Sequence, residues 1–202
     1  MKNKIQKLLQ EIREKREELF EEYESLKKEY WYVIEKWKIR FSEEMRKRNK
    51  FYKTSLFESI FSARVREILS MPFIYMMIVP AIILDIFLFV YQQTALRLYK
   101  VPLVKRSEYI IFERKHLDYL NLIQKVNCLY CSYVNGLFSY AVEIAGRTEK
   151  YWCPIKSASR KKWWHDWEEY FAEYGDPEKF KEVFTSLKEF EALENNKKSW
   201  TN

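Results

Sequence analysis

A chain of 202 residues, 48% hydrophobic and 32% charged, can build one core or an apolar anchor with a modest domain, and must segregate its apolar and charged stretches. With only 3 glycines it lacks the tight turns that a many-stranded β fold needs, which predicts an all-α, membrane-associated helical protein. The formal net charge of +7 is interleaved with glutamates and flanks an apolar run, so an anionic lipid leaflet is the expected partner and nucleic acid is not.

Residues 1–55 form the first region, with a long coiled-coil-like helix expected over 3–50. Ile5, Ile12, Leu19, Leu26 and Val33 recur every seventh position, and Leu9, Tyr23, Tyr30 and Trp37 fill the second heptad position, with Arg16 as the charged exception. Such a seam serves a protein partner or self-association; packing within the same chain is the other reading, because the aromatic half is bulky for a tight two-stranded coil. No short apolar run precedes a small-residue cleavage site, which predicts no cleavable signal peptide.

Residues 56–99 form the membrane-entering region. Leu56, Phe57, Ile60, Phe61, Val65, Ile68 and Leu69 keep helical spacing, and from 72 to 91 the one ionisable side chain is Asp85. Twenty helical residues reach about 30 Å, the thickness of a hydrocarbon core. Pro80 removes a helical hydrogen bond near the middle. Lys53, Arg64 and Arg66 before the segment balance Arg97, Lys100, Lys105 and Arg106 after it. Positive residues draw both ends toward the cytoplasm, so a span and a re-entrant hairpin are both open. Asp85 is a candidate functional residue by its depth, or a structural carboxylate paired with an Arg or Lys.

Residues 100–158 carry Cys128, Cys131 and Cys153. An odd number excludes a complete disulfide framework and suits reduced thiols. A helix is expected from an N-cap at Asp118, with Asp118, Asn121, Lys125, Cys128, Ser132, Asn135 and Ser139 as a polar stripe. Cys128 and Cys131 sit one turn apart, a spacing that can place two thiolates on one zinc or iron ion or form a redox dithiol. His116, Cys153, Glu143 and Glu149 are the further candidate ligands. A break at Asn135-Gly136 would set Glu143 opposite Cys128 and bring Glu149 and Cys153 near His116. An unbroken helix instead separates Cys131 from Cys153 by about 30 Å. Metal binding, buried free thiols and a disulfide are the three readings of these cysteines.

The stretch 71–156 resembles a family of uncharacterised bacterial membrane proteins. It carries P-F-I-Y-x-M-I-V-P at 72–80, H-L-x-Y-L-N at 116–121, N-C-x-Y-C-x-Y-x-N-G at 127–136, and E-I-x-x-R-T-E-x-Y-W-C-P-I-K at 143–156. The family commonly places His after C-P-I-K, where this chain has Ser157. The resemblance implies a bacterial inner membrane location, and it supplies no reaction.

Residues 159–202 are expected as amphipathic helices. Arg160, Lys161 and Lys162 precede Trp163, Trp164, Trp167, Tyr170 and Phe171, which suits either an interfacial helix over 157–174 or an aromatic face packed on the domain. His165 shows no ligand partner by spacing. Asp176-Pro177 opens a last helix with Phe180, Phe184, Leu187, Phe190 and Leu193 on one face, and the tail 195–202 is expected to fray. No phosphate loop, Ser/His/Asp arrangement or metalloprotease helix occurs, so no reaction is identified and catalysis stays open. The sequence supports a membrane-bound assembly or binding protein with its helical domain on the cytoplasmic side. Its alternatives are a zinc, iron or thiol-redox protein built on Cys128 and Cys131, and an ion-handling role for Asp85.

Overall fold

The computed structural model describes residues 2–29, 32–35, 38–53, 55–61, 64–159, 161–162 and 165–185. The fold is all-α: the helices are α1 (Lys2–Glu29), α2 (Glu43–Phe51), α3 (Leu56–Phe61), α4 (Val65–Met76), α5 (Ile78–Tyr91), α6 (Leu122–Trp152) and α7 (Pro177–Thr185). Its contacts group into two compact units, 1–62 with 113–125, and 63–112 with 126–202.

In the first unit the expected long helix ends at Glu29, where a hairpin of β1 (Tyr32–Glu35) and β2 (Lys38–Phe41) replaces it. The strands are antiparallel, with Val33 opposite Arg40 and Ile34 opposite Ile39. The heptad count ran on through a Tyr-Trp-Tyr-Val-Ile stretch of β-branched and aromatic residues, whose side chains favour a pleated surface over a helix. Within the helical part of the seam, Ile12 and Leu19 are exposed at 62% and 68%. Tyr30 and Trp37 of the expected seam lie outside the described residues, as do the side chains of Ile5, Leu9, Leu26 and Val33.

The hairpin leads into α2, whose N-cap Ser42 accepts a hydrogen bond from the Met45 N–H at 3.3 Å. The helix expected to begin at Asp118 begins instead at Leu122. Asn121 and Gln124 form a reciprocal capping box: Asn121 Oδ1 accepts from the Gln124 N–H and Gln124 Oε1 accepts from the Asn121 N–H, each at 3.0 Å. Asn121 also donates to Ser59 Oγ at 2.6 Å, and Asp118 pairs with Arg46 at 3.5 Å. A two-sided box satisfies one more terminal group than a lone aspartate, which accounts for the shift.

The second unit is organised by α4 and α5, which with the π-helical turn Gln92–Leu96 make one helix, Val65–Leu96, of 32 residues, long and apolar enough to cross a membrane. Glu67 accepts from the Arg64 N–H at 3.2 Å and starts it. Pro80 has no N–H for the carbonyl of Met76, and the helix registers this at Met77, where ψ opens to −11°. The chain then resumes its direction: Ala81 N–H donates to Met77 O at 3.2 Å. Pro80 therefore bends the segment and does not reverse it, and the re-entrant break near Pro80 does not form. Lys100, with φ 56°, ends the helix, while the Val101 N–H bonds Leu96 O at 2.9 Å and the Lys100 N–H bonds Arg97 O at 3.1 Å.

The polar partners of this helix lie further along α6 toward its C-terminal end. Tyr75 bonds Asn127, Asp85 accepts from Tyr133, Gln92 bonds Tyr140 and Tyr91 bonds Thr148. The two helices thus run side by side in the same direction. Residues 101–112 return between them, and Val101, Val104, Ile110, Leu137, Tyr140, Ile144, Trp167 and Phe171 close the core.

α6 is unbroken through Asn135-Gly136, so of the two alternatives the continuous helix forms and the fold-back does not. Gly136 serves a different purpose: a Cβ there would stand 2.6 Å from Tyr109 O and 2.9 Å from Ile110 Cα. The glycine lets the returning chain touch the helix backbone.

The region 157–174 is not a helix among its described residues. It holds a short 3₁₀ turn, Asp166–Tyr170, and a parallel bridge in which the Ala172 N–H bonds Pro154 O and the Lys156 N–H bonds Ala172 O, both at 2.8 Å. Trp167, 1% exposed, fills the core, so its ring belongs to the packed-aromatic alternative. Arg160, Trp163, Trp164, Leu187, Phe190, Leu193 and the tail 195–202 lie outside the described residues. α7 starts as expected, with Asp176 Oδ1 accepting from the Lys179 N–H at 3.0 Å and Pro177 in first position.

Gly136→Ala is expected to lower stability by about 1–3 kcal/mol, since the obstructing atoms are backbone and have no side-chain freedom to yield. Denaturant unfolding of the purified chain measures it, and an unchanged midpoint would count against the close approach.

Candidate functional site

The apolar helix carries few polar groups, and Tyr75, Asp85, Tyr91 and Gln92 among them find partners on α6 or the return segment. Asp85 is held from two directions. Arg106 donates to it through Nε at 3.1 Å and Nη2 at 2.6 Å, and Tyr133 Oη–H donates at 3.0 Å. The forked guanidinium matches the carboxylate with two parallel bonds. Hydrogen bonding to Asp85 pushes the Arg106 pKa above its usual value, so the guanidinium keeps its charge. Asp85 thus has the basic partner that the structural reading calls for, Arg106 on the short turn Arg106–Glu108.

Two turns on, Gln92 is 3% exposed and lies in the π-helical turn. Its Oε1 accepts from the Val104 N–H at 2.6 Å, and its Nε2 donates to Val104 O at 3.4 Å and to Tyr140 Oη. The side-chain amide pairs with one residue of the return segment as a neighbouring strand would. Such irregular backbone needs this when it is buried.

The C-terminal half of α6 holds the densest charge. Glu143, Arg147 and Lys150 are 6%, 6% and 5% exposed. Glu143 Oε1 accepts from Arg147 Nε and from the Trp167 indole N–H, both at 3.0 Å, and Arg147 Nη1 donates to Pro102 O at 2.8 Å. The guanidinium lies 5.7 Å from the Trp167 ring centroid. Next to it, His165 Nε2–H donates to Glu149 Oε2 at 2.7 Å. Gly146 makes room for both rings, since a Cβ there would meet Trp167 at 2.8 Å and His165 at 3.1 Å. Burial first, and then the Glu143 charge, raises the pKa of the nearby Tyr109.

The proposed metal ligands are dispersed by this arrangement. Cys128 is half-buried, and Cys131 and Cys153 are exposed. On the uninterrupted α6, Cys131 and Cys153 are separated by about 33 Å along the axis, so one mononuclear site cannot hold both. Glu143 is engaged by Arg147 and Trp167, and Glu149 by His165 rather than by His116. His116 lies exposed in the first unit, on the turn Glu113–His116. Among the described residues, no group of three or more His, Cys, Asp or Glu side chains is placed to hold a metal ion. The charged cluster about Arg147, Trp167 and His165 escaped the sequence reading. Its signal was the i, i+4, i+7 recurrence of Glu143, Arg147 and Lys150 on one helical face, which only a partner segment supplied from 165–171 makes into a buried site.

No family model, curated protein or solved structure matches this chain.

Glu143→Gln is expected to destabilise the chain by about 3 kcal/mol, because it leaves the Arg147 charge buried without its counter-ion. Trp167→Phe, which removes one donor to that carboxylate, is expected to cost about 1–2 kcal/mol. Combining Glu143→Gln with Arg147→Met should recover part of the larger loss. Chemical denaturation of the variants checks the order, and additive losses would refute the coupling.

Proposed function

We propose that this chain is a membrane-bound assembly or binding protein. The helix Val65–Leu96 holds it in a bacterial inner membrane, and its α6-based domain lies at the cytoplasmic surface. The observation that carries the reading is the uncovered face of that helix: only 6% of its most apolar window is buried. Phe73, Val79, Ile83, Phe87 and Val90 are 70%, 56%, 50%, 67% and 50% exposed. A soluble core helix buries this surface, whereas lipid accepts it without cost. The resemblance of residues 71–156 to a bacterial membrane-protein family supports the same placement.

The binding half of the proposal rests on α1, where the exposed Ile12 and Leu19 lie at heptad spacing on a helix of 28 residues. An apolar seam left to solvent on a long charged helix suits a helical partner. No chemistry at the cysteines or at Asp85 is needed for this role.

The purified full chain is expected to float with vesicles containing anionic lipid. With Phe73→Glu and Phe87→Glu together it should remain in the dense fraction, because each carboxylate opposes burial of that face in lipid by several kcal/mol. Flotation of the doubly changed chain at the original level would overturn the membrane reading. Ile12→Asp with Leu19→Asp is expected to release a co-purifying partner severalfold without affecting flotation. Retention of every partner would overturn the seam.

A further inference from the structure

We propose that the helix Val65–Leu96 lies in the plane of the membrane, embedded in one leaflet by its outward face, and does not cross the bilayer. This rests on the membrane reading above and decides its topology.

The argument starts from what accompanies the middle of the helix. Were residues 72–91 centred in a hydrocarbon core, Asp85 would sit about 5 Å from the midplane, inside a half-thickness of about 15 Å. Arg106 is bound to Asp85 and therefore shares its depth, and its side chain is 47% exposed. Lys105 and Glu108 are adjacent, 3.6 Å from each other, with side chains 70% and 57% exposed. Each charge at such a depth costs about 2.5–3.5 kcal/mol even on the mildest scale. The segment bearing them is extended backbone and a short turn, and irregular backbone facing lipid does not occur inside the hydrocarbon layer.

An in-plane helix meets none of these penalties. Phe73, Met76, Val79, Ile83, Phe87 and Val90 follow one another at intervals of three and four and are exposed from end to end. Tyr75, Asp85 and Gln92 lie on the opposite side and bond α6 and the return segment. The helix thus divides along its length rather than at its ends, the pattern of a helix buried about 5–10 Å into one leaflet. The charge distribution agrees. Arg64, Arg66, Arg97, Lys100 and Lys105 are all exposed and occur at both ends of the helix and beside its middle. A leaflet with anionic headgroups would attract each of them by about 1 kcal/mol.

The test uses the full chain in sealed inside-out vesicles of bacterial inner membrane, with Cys128, Cys131 and Cys153 changed to serine and single cysteines introduced at exposed positions. Arg66→Cys, Arg97→Cys and Lys105→Cys are each expected to react with a membrane-impermeant maleimide to within twofold of their labelling in detergent. Ile83→Cys and Phe87→Cys should react at least fivefold less until detergent is added. Labelling of Arg66→Cys and Arg97→Cys from opposite sides would establish a crossing and overturn the proposal. Full reactivity of Ile83→Cys and Phe87→Cys would show a face in water, and disulfide formation between two Ile83→Cys chains would show a second copy covering it; either result overturns it as well. A chain left in the supernatant when the vesicles are sedimented would instead bring down the membrane reading itself.

Discussion

Polar groups on an apolar helix must find partners inside the protein, and the second unit is arranged around that constraint. Asp85 and Gln92 both face inward from the helix Val65–Leu96, and each binds the return segment and α6 at once. A buried carboxylate without its cation, or an amide without its partners, costs far more than the same contact contributes when made. The Arg106 fork and the Val104 backbone therefore set the register of the return segment. Once Arg106 lies at Asp85 and Val104 at Gln92, Pro102 falls at Arg147 and Tyr109 at Gly136. Glycine at 136 is the geometric condition for that path.

The same register governs what the outer face of the helix can do. Because the polar partners run along one side, the charged return segment accompanies the helix at mid-length, and the other side stays apolar from Phe73 to Val90. The chain is amphipathic at the level of the folded unit, although the helix sequence is apolar nearly all round. A hydropathy profile sees only the second property.

α6 shows how one helix serves two tasks. Its first half presents uncharged polar side chains, with Asn135 and Ser139 exposed and Tyr133 and Tyr140 turned toward the apolar helix. Its second half buries Glu143, Arg147 and Lys150, the first two against Trp167. Glu143 and Arg147 persist there because both have near partners: Glu143 has two donors, and Arg147 has a carboxylate, a carbonyl and the Trp167 ring. The cysteines take no part in this network, and their positions on a continuous helix follow from the absence of a break at Gly136.

Sequence by itself determined the helical class, the presence of one long apolar helix and the start of α7, because composition, local periodicity and capping chemistry act over a few residues. It misplaced the end of α1, since a heptad count carries no weight against the β preference of residues 30–34, and it misplaced the start of α6, where Asn121 and Gln124 cap each other. Only the tertiary structure decided that Gly136 admits a crossing chain and not a turn, that Glu143 and Glu149 pair with Arg147 and His165, and that charge lies beside the middle of the apolar helix. Those outcomes depend on which distant segment arrives at each face, and no local pattern in the chain encodes that.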